Sequence, residues 1–329
     1  MPESAIPLTD TGIPMTDTVI PMTNMVIPII DIAPFRRDGR AAVVADIATA
    51  AREIGFFVVT GHGVGAAATD RLYHAARDFF DLPDLEKRAL VGAPGHLGGV
   101  GFAPLGAEAL AATKGHASPG DIKESLNFGP RLPGGPWPSS GLRDAFAAYF
   151  AEMERLAHVL RRIFCAAIGL AEDHFEADFV GHLSALRVIN YPAQTETPAP
   201  GQLRAGAHTD YGFMTILRSE AVPGGLQVQR RDGVWLDAPA VEDGYVINIA
   251  DAFMRWTNDA WVSTPHRVAN PPAAARGTAR RQSIPYFVNP SGTALIQCLP
   301  QFVPAGQSAK YPPISFGDYI TLKTAQAFT

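Results

Sequence analysis

The stretch AHTDYGFMTIL, Ala207–Leu217, sets a histidine and an aspartate two residues apart at the head of an alternating apolar run. Residues i and i+2 of a strand face the same side, so His208 and Asp210 point inward together and Thr209 outward. An imidazole and a carboxylate on one strand face offer adjacent coordination positions to a metal. Read blandly, they are two polar residues that begin a strand. With 9 histidines in 329 residues, one His-x-Asp carries little by itself. A metal site needs a third ligand from another strand. His266 in WVSTPHRV is the best candidate, because it follows a proline and begins another extended run. Two histidines and one carboxylate make the facial set that holds non-haem Fe(II) with coordination positions left open. Thiolates would favour zinc or iron–sulfur chemistry instead.

Iron held this way accepts an anionic chelator, and a 2-oxo acid needs a cation at its far carboxylate. The run RRQSIPYF supplies one. Arg281 and Ser283 share a strand face with Phe287, while Arg280, Gln282 and Ile284 face away. The guanidinium fork donates two parallel hydrogen bonds to a carboxylate, and Ser283 can donate a third. Arg280 reads as a surface arginine. Tyr191 in NYP can turn its hydroxyl to the same carboxylate, or be a core aromatic.

The elements that position these residues follow from periodicity. Helical spacing runs from Asp38 to about Glu53 and again over 68–80. GFFVVTGHGV, Gly55–Val64, reads as a buried strand ending in a glycine turn. Gly92–Gly141 is rich in Gly and Pro and reads as mostly loop. Arg143–Leu170 has the 3–4 spacing of a long amphipathic helix, on which His158 reads as structural. Beyond residue 183 short runs follow one another: ALRVINY, FMTILRS, GLQVQRR, YVINIA and RQSIPYFV. Bounded by Gly, Pro, Asn or Asp, they predict a sandwich or jelly roll, fused to the helices as one domain. At the N-terminus the heptapeptide IPLTDTG recurs as IPMTDTV, IPMTNMV and IPIIDIA. Proline in every copy excludes a coiled coil, and the last copy reads as the strand that enters the core.

Composition excludes several classes. Net charge is −5 without any Lys or Arg run, which argues against nucleic acid or an anionic membrane as the main partner. Cys165 and Cys298 are too few for a disulfide framework. No membrane-length apolar run or secretory leader is evident, so a soluble cytoplasmic protein is expected.

Together these stretches resemble the isopenicillin N synthase-like family of Fe(II)/2-oxoglutarate-dependent oxygenases. The resemblance runs from about Ile27 to Ala325 through IPIIDIAPF, REIGFFVVTGHGV, DIKESLNFG, RVINYP, GAHTDYGFMTIL, GGLQV, INIADAFMRWTND, STPHRV and RRQSIPYFVNP. It implies an α+β, mainly β fold: a double-stranded β-helix (jelly roll) core with packing helices from the N-terminal half. Residues 1–26 lie outside the pattern as Pro-containing repeats. Residues 27–329 then form one oxygenase domain: an N-terminal part over 27–182, the jelly roll over 183–300 and a C-terminal lid over 301–329. ANPPAAARGTAR, between His266 and Arg281, is longer than in plant-type members and reads as a surface loop.

The resemblance further implies Fe(II) on His208, Asp210 and His266, and 2-oxoglutarate on Arg281, Ser283 and Tyr191. The reaction would consume O2, release succinate and CO2, and hydroxylate, desaturate or cyclise a small-molecule substrate at an unactivated C–H bond. Candidate lining residues are Phe102, Phe213, Phe253, Trp256 and Phe287, with a lid around Tyr319. Two alternatives stand beside this reading: an Fe(II)/O2 oxidase of the same family that needs no oxo acid, and a non-catalytic jelly-roll binding protein. Substrate identity and oligomeric state are not written in the sequence.

Overall fold

The computed structural model describes residues 26–90, 101–115, 119–129 and 137–327. The first two heptapeptide copies and all but the last residue of the third lie outside them, as does part of the Gly/Pro-rich segment. In chain order the elements are β1 (Ile29–Asp31), α1 (Arg40–Glu53), β2 (Phe56–Thr60), α2 (Ala66–Phe80), α3 (Asp84–Arg88), β3 (Gly101–Ala103), β4 (Glu124–Phe128) and α4 (Ser140–Ala167). The strand-rich half follows: β5 (Ala185–Tyr191), β6 (Ala205–His208), β7 (Met214–Ser219), β8 (Leu226–Gln229), β9 (Trp235–Asp237), β10 (Tyr245–Ile249), α5 (Asp251–Trp256), β11 (His266–Val268) and β12 (Arg281–Val288). β13 (Leu295–Ile296), β14 (Ile314–Ser315) and α6 (Phe316–Ala327) close the chain.

Two sheets face each other. The larger has the order β1-β2-β10-β7-β12-β5-β4-β3, and the smaller β6-β11-β8-β9. From β5 to β8, and again from β9 to β12, sequence neighbours alternate between the two sheets, as in a jelly roll. β1 pairs with β2 in parallel and every other pairing is antiparallel.

The larger sheet is apolar on both faces, but unequally. Its outer face, carrying Phe57, Val59, Ile216, Ile247, Ile284 and Tyr286, packs against α1, α2 and α4 in the main core. On its inner face Phe56, Val58 and Val246 meet Leu226 and Val228 of the smaller sheet. Farther along, Ile189 and Tyr191 meet Ala205 and Val268. The gap between these two inner clusters is where polar side chains gather. Ile27 is buried in the first of them, so the last heptapeptide copy does enter the core.

The Gly92–Gly141 segment departs from its expected loop character. It contributes β3 and β4 to the edge of the larger sheet and a 3-10 turn, Leu110–Lys114. β4 carries charge where a strand signal needs apolar residues: Glu124 is buried because Lys87 and Asn190 both reach it at 2.8 Å. ANPPAAARGTAR is a loop with a 3-10 turn at Ala273–Ala275, pinned by Gln194 donating to Asn270 at 2.9 Å. Among the described residues no helix is long and apolar enough to cross a membrane. Cys165 and Cys298 are free thiols.

Candidate metal and oxo-acid site

His208 ends β6, His266 begins β11, and the two are direct cross-strand partners. Asp210 lies just past the end of β6, so the pair is not on one strand as the alternation suggested. Thr209 points away from the ligands but is buried rather than outward, with its hydroxyl 3.4 Å from Asp251.

The ligand atoms converge, all within 4.8 Å of one another. His208 Nε2 is 3.9 Å from Asp210 Oδ1, and His266 Nε2 is 3.8 Å from Asp210 Oδ2. Hydrogen bonding sets the tautomers. His208 Nδ1 lies 2.8 Å from the Gly206 carbonyl and His266 Nδ1 lies 3.2 Å from the Thr264 carbonyl. A carbonyl only accepts, so each Nδ1 carries the hydrogen and each Nε2 keeps a lone pair for a metal. Gly206 is a tight point: a Cβ there would lie 2.7 Å from the Ala111 backbone nitrogen.

Electrostatics favour the ligating forms. Burial, and after it the neighbouring His266, push His208 from 6.5 down to about 3 against the pull of Asp210, so the imidazole is neutral. Burial raises the Asp210 carboxyl, but His266, His208, Thr215 and Asn248 together hold it below the usual carboxylate range. Thr215 and Asn248 were not singled out from the sequence. Both sit on the inner face of the larger sheet and bond Asp210 Oδ2, at 2.6 and 2.8 Å. That leaves Oδ1 as the freer oxygen.

Arg281 and Tyr191 are cross-strand partners on the inner face, with the guanidinium 5.3 Å from the ring centroid. Both are buried, as is Ser283 two residues along β12. Arg281 Nε donates to the Glu220 carbonyl at 3.3 Å, while Nη1 is buried without a partner among the described residues. A buried, unpaired guanidinium nitrogen is costly unless an acceptor arrives. Arg204, which the sequence did not flag, also lies over this ring, at 5.9 Å from its centroid. Its guanidinium donates to the carbonyls of Pro223, Gly224 and Ala279.

Not all candidates reach the site. Phe287 is on the inner face, opposite Thr215. Phe213, Phe253 and Trp256 instead form a buried aromatic cluster with Phe164 and Phe175 in the outer-face core. Phe102 packs edge-on to Phe79 in the same core. These four are packing residues, since apolar burial and substrate lining leave the same mark on a sequence. Arg280 is no idle surface residue either: it bonds Asp81, just past the end of α2, and Asn190. Tyr319, on α6, donates to Asp251 at 3.0 Å.

Residues 183–290 match the 2OG-Fe(II) oxygenase superfamily, and residues 27–145 match the non-haem dioxygenase in morphine synthesis N-terminal family. The chain is 30% identical to the validamycin A dioxygenase of Streptomyces hygroscopicus subsp. limoneus, over 92% of this chain and 86% of that one. It is also 30% identical to a 2-oxoglutarate-Fe(II) type oxidoreductase of Emericella nidulans, over 89% and 87%. The crystal structure of a full-length Neurospora crassa protein in complex with alpha-KG and thymine superposes with a TM-score of 0.82 at 29% identity, covering 93% of this chain and 98% of that one.

The fold and the His-Asp-His cluster therefore define a non-haem iron oxygenase. The chain belongs to the 2-oxoglutarate/Fe(II)-dependent oxygenase family, with Fe(II) as its metal and 2-oxoglutarate and O2 as co-substrates.

Proposed function

We propose that His208, Asp210 and His266 hold the Fe(II), and that Arg281, with Ser283 and Tyr191, receives the far carboxylate of 2-oxoglutarate. The observation that carries this reading is the pair of imidazoles whose Nε2 lone pairs meet one carboxylate while their Nδ1 atoms are fixed on carbonyls. The unpaired Arg281 Nη1 supports the second half. When bound, iron and oxo acid supply the oxidising power, with succinate and CO2 released as an unactivated C–H bond of a small molecule is oxidised. The chain's own residues orient. Thr215 and Asn248 fix the Asp210 carboxylate, the two carbonyls fix the imidazoles, and the two inner apolar clusters exclude water on either side. Thymine in the Neurospora complex and the validamycin A of the Streptomyces enzyme's name support a small-molecule substrate.

The test is succinate release from 2-oxoglutarate without prime substrate, in the presence of Fe(II) and O2. Slow release, lost in His208→Ala and Asp210→Ala, is expected. Wild-type turnover in a metal-replete His208→Ala protein would end the ligand assignment. Iron binding without any succinate would favour an oxidase that needs no oxo acid.

A further inference from the structure

The inner face of the larger sheet carries a polar strip that this reading leaves unused. In β4, Leu126 and Phe128 pack into the outer core, so Ser125 and Asn127 face the interior. In β5, Leu186 and Val188 do likewise, so Arg187 faces inward and stands directly opposite Asn127. On the other side of Asn127 is Gly101, which has no side chain to cover it. Ser125 Oγ and Asn127 Oδ1 are buried without hydrogen-bond partners among the described residues. Arg187 donates from Nη1 to Glu108 at 3.0 Å and has no other partner among them, which leaves most of its N–H groups free. Arg187 lies two residues from Ala185, whose cross-strand partner Phe287 faces Thr215, the anchor of Asp210. At the usual strand spacing and rise per residue, Arg187 lies about 7 Å along the strand and two strands, about 10 Å, across from Thr215.

The charges around Arg187 cancel. Glu108 is shared with Lys123 at 3.0 Å, and Lys123 also meets Asp121 at 3.1 Å. Two cations and two carboxylates leave no spare positive charge for an anion. Arg281 differs, having no carboxylate within salt-bridge reach among the described residues. The two inner-face arginines therefore suit different acceptors: Arg281 a carboxylate, Arg187 a neutral oxygen.

We propose that Arg187 and Asn127 form the recognition edge for the prime substrate, and that this substrate is a neutral small molecule presenting a carbonyl beside an N–H: an amide, lactam or imide edge. Arg187 donates to the carbonyl and Asn127 Oδ1 accepts from the N–H, which gives both unused groups a partner. This deepens the proposed function and rests on it.

The test uses three probes with the Zn(II)-loaded protein and 2-oxoglutarate, followed by ligand-observed NMR: 2-pyridone, N-methyl-2-pyridone and benzoate. Binding of 2-pyridone is expected, with the N-methyl compound about tenfold weaker for want of the N–H. Benzoate should bind no better than the N-methyl compound. Arg187→Met and Asn127→Leu should each weaken 2-pyridone by about tenfold. Arg187→Lys keeps a cation beside Glu108, so it tests the same contact, at a several-fold loss, should the methionine variant unfold. In Mn(II)-loaded protein the 2-pyridone protons should broaden, which places the probe near the metal. The proposal falls if benzoate binds tightest, if N-methylation is harmless, if all variants bind 2-pyridone as wild type does, or if no 2-pyridone binds. Titration of 2-oxoglutarate in the same samples separates the readings, since its failure in wild type counts against the Arg281 pocket instead.

Discussion

Thr215 donates a 2.6 Å hydrogen bond to Asp210 Oδ2, so a strand of the larger sheet holds a ligand that follows a strand of the smaller one. Asn248 reaches the same oxygen at 2.8 Å. With Oδ2 engaged twice, the carboxylate is oriented to offer Oδ1. Thr215→Val removes the hydroxyl at nearly constant volume. It is expected to lower metal affinity about tenfold or more, the scale on which outer-shell partners of metal ligands act. A competition titration with Zn(II) measures this, and unchanged affinity would mean the two strands position Asp210 without the bond.

The pH dependence of stability should carry the signature of His208. In the folded protein its imidazole stays neutral down to about 3, whereas in the unfolded chain it titrates near 6.5. Protons therefore favour the unfolded state below 6.5. This contribution to stability is fully present above that pH and is lost as pH falls from 6.5 toward 3, by up to about 1.4 kcal/mol per pH unit. Urea unfolding of metal-free protein at pH 7 and pH 5 should show a shallower decline for His208→Gln than for wild type. Equal declines would remove His208 as the cause.

The strand-rich half was legible because its alternation is strong, yet the alternation reads inside out. Met214, Ile216, Ile247 and Ile249 are apolar because they face the helices, while Thr215 and Asn248 are polar because they face the site. A polar position in such a strand normally means solvent, so nothing in FMTIL or YVINI marked Thr215 or Asn248 as a ligand anchor. The ligands themselves were readable only in company: His208-x-Asp210 carries little by itself, and His266 with the stretches around all three gave it weight. The aromatic lining was not: Phe213 sits three residues after Asp210 yet packs against Phe253 in the outer-face core. β4 was hidden because Glu124, Ser125 and Asn127 interrupt the apolar signal, and partners remote in sequence compensate only Glu124.

Arg281→Lys should weaken 2-oxoglutarate more than the prime substrate. Lysine keeps the charge but loses the paired donors, and breaking a partly desolvated contact of this kind costs ~2–5 kcal/mol, roughly thirty-fold or more in dissociation constant. Arg280→Lys tests a different link. Arg280, just before β12, pairs with Asp81, just past α2, so its replacement should cost up to about 1 kcal/mol of stability and leave 2-oxoglutarate affinity alone. Paired titrations of oxo acid and prime substrate on both variants decide the matter. If only the prime substrate suffers in Arg281→Lys, the arginine belongs to the substrate and the oxo-acid pocket lies elsewhere.

Asp251 joins the C-terminal helix to the ligand segment. Its Oδ2 accepts from Tyr319 and from Lys323, each at 3.0 Å, and its Oδ1 from Ser263 at 2.7 Å. Its backbone N–H donates to the Asp210 carbonyl at 2.9 Å. Burial, with the Asp251 carboxylate beside it, keeps the proton on Tyr319, so the phenol is the donor. Removing that hydroxyl costs one hydrogen bond to a charged group, about 1.5–3 kcal/mol. Tyr319→Phe is therefore expected to lower the unfolding free energy by about that amount and to weaken metal binding several-fold. Asp251→Asn, which also breaks the Lys323 pair, should do both more strongly. If unfolding weakens in both variants while metal affinity stays at the wild-type value, α6 stabilises the fold without positioning Asp210.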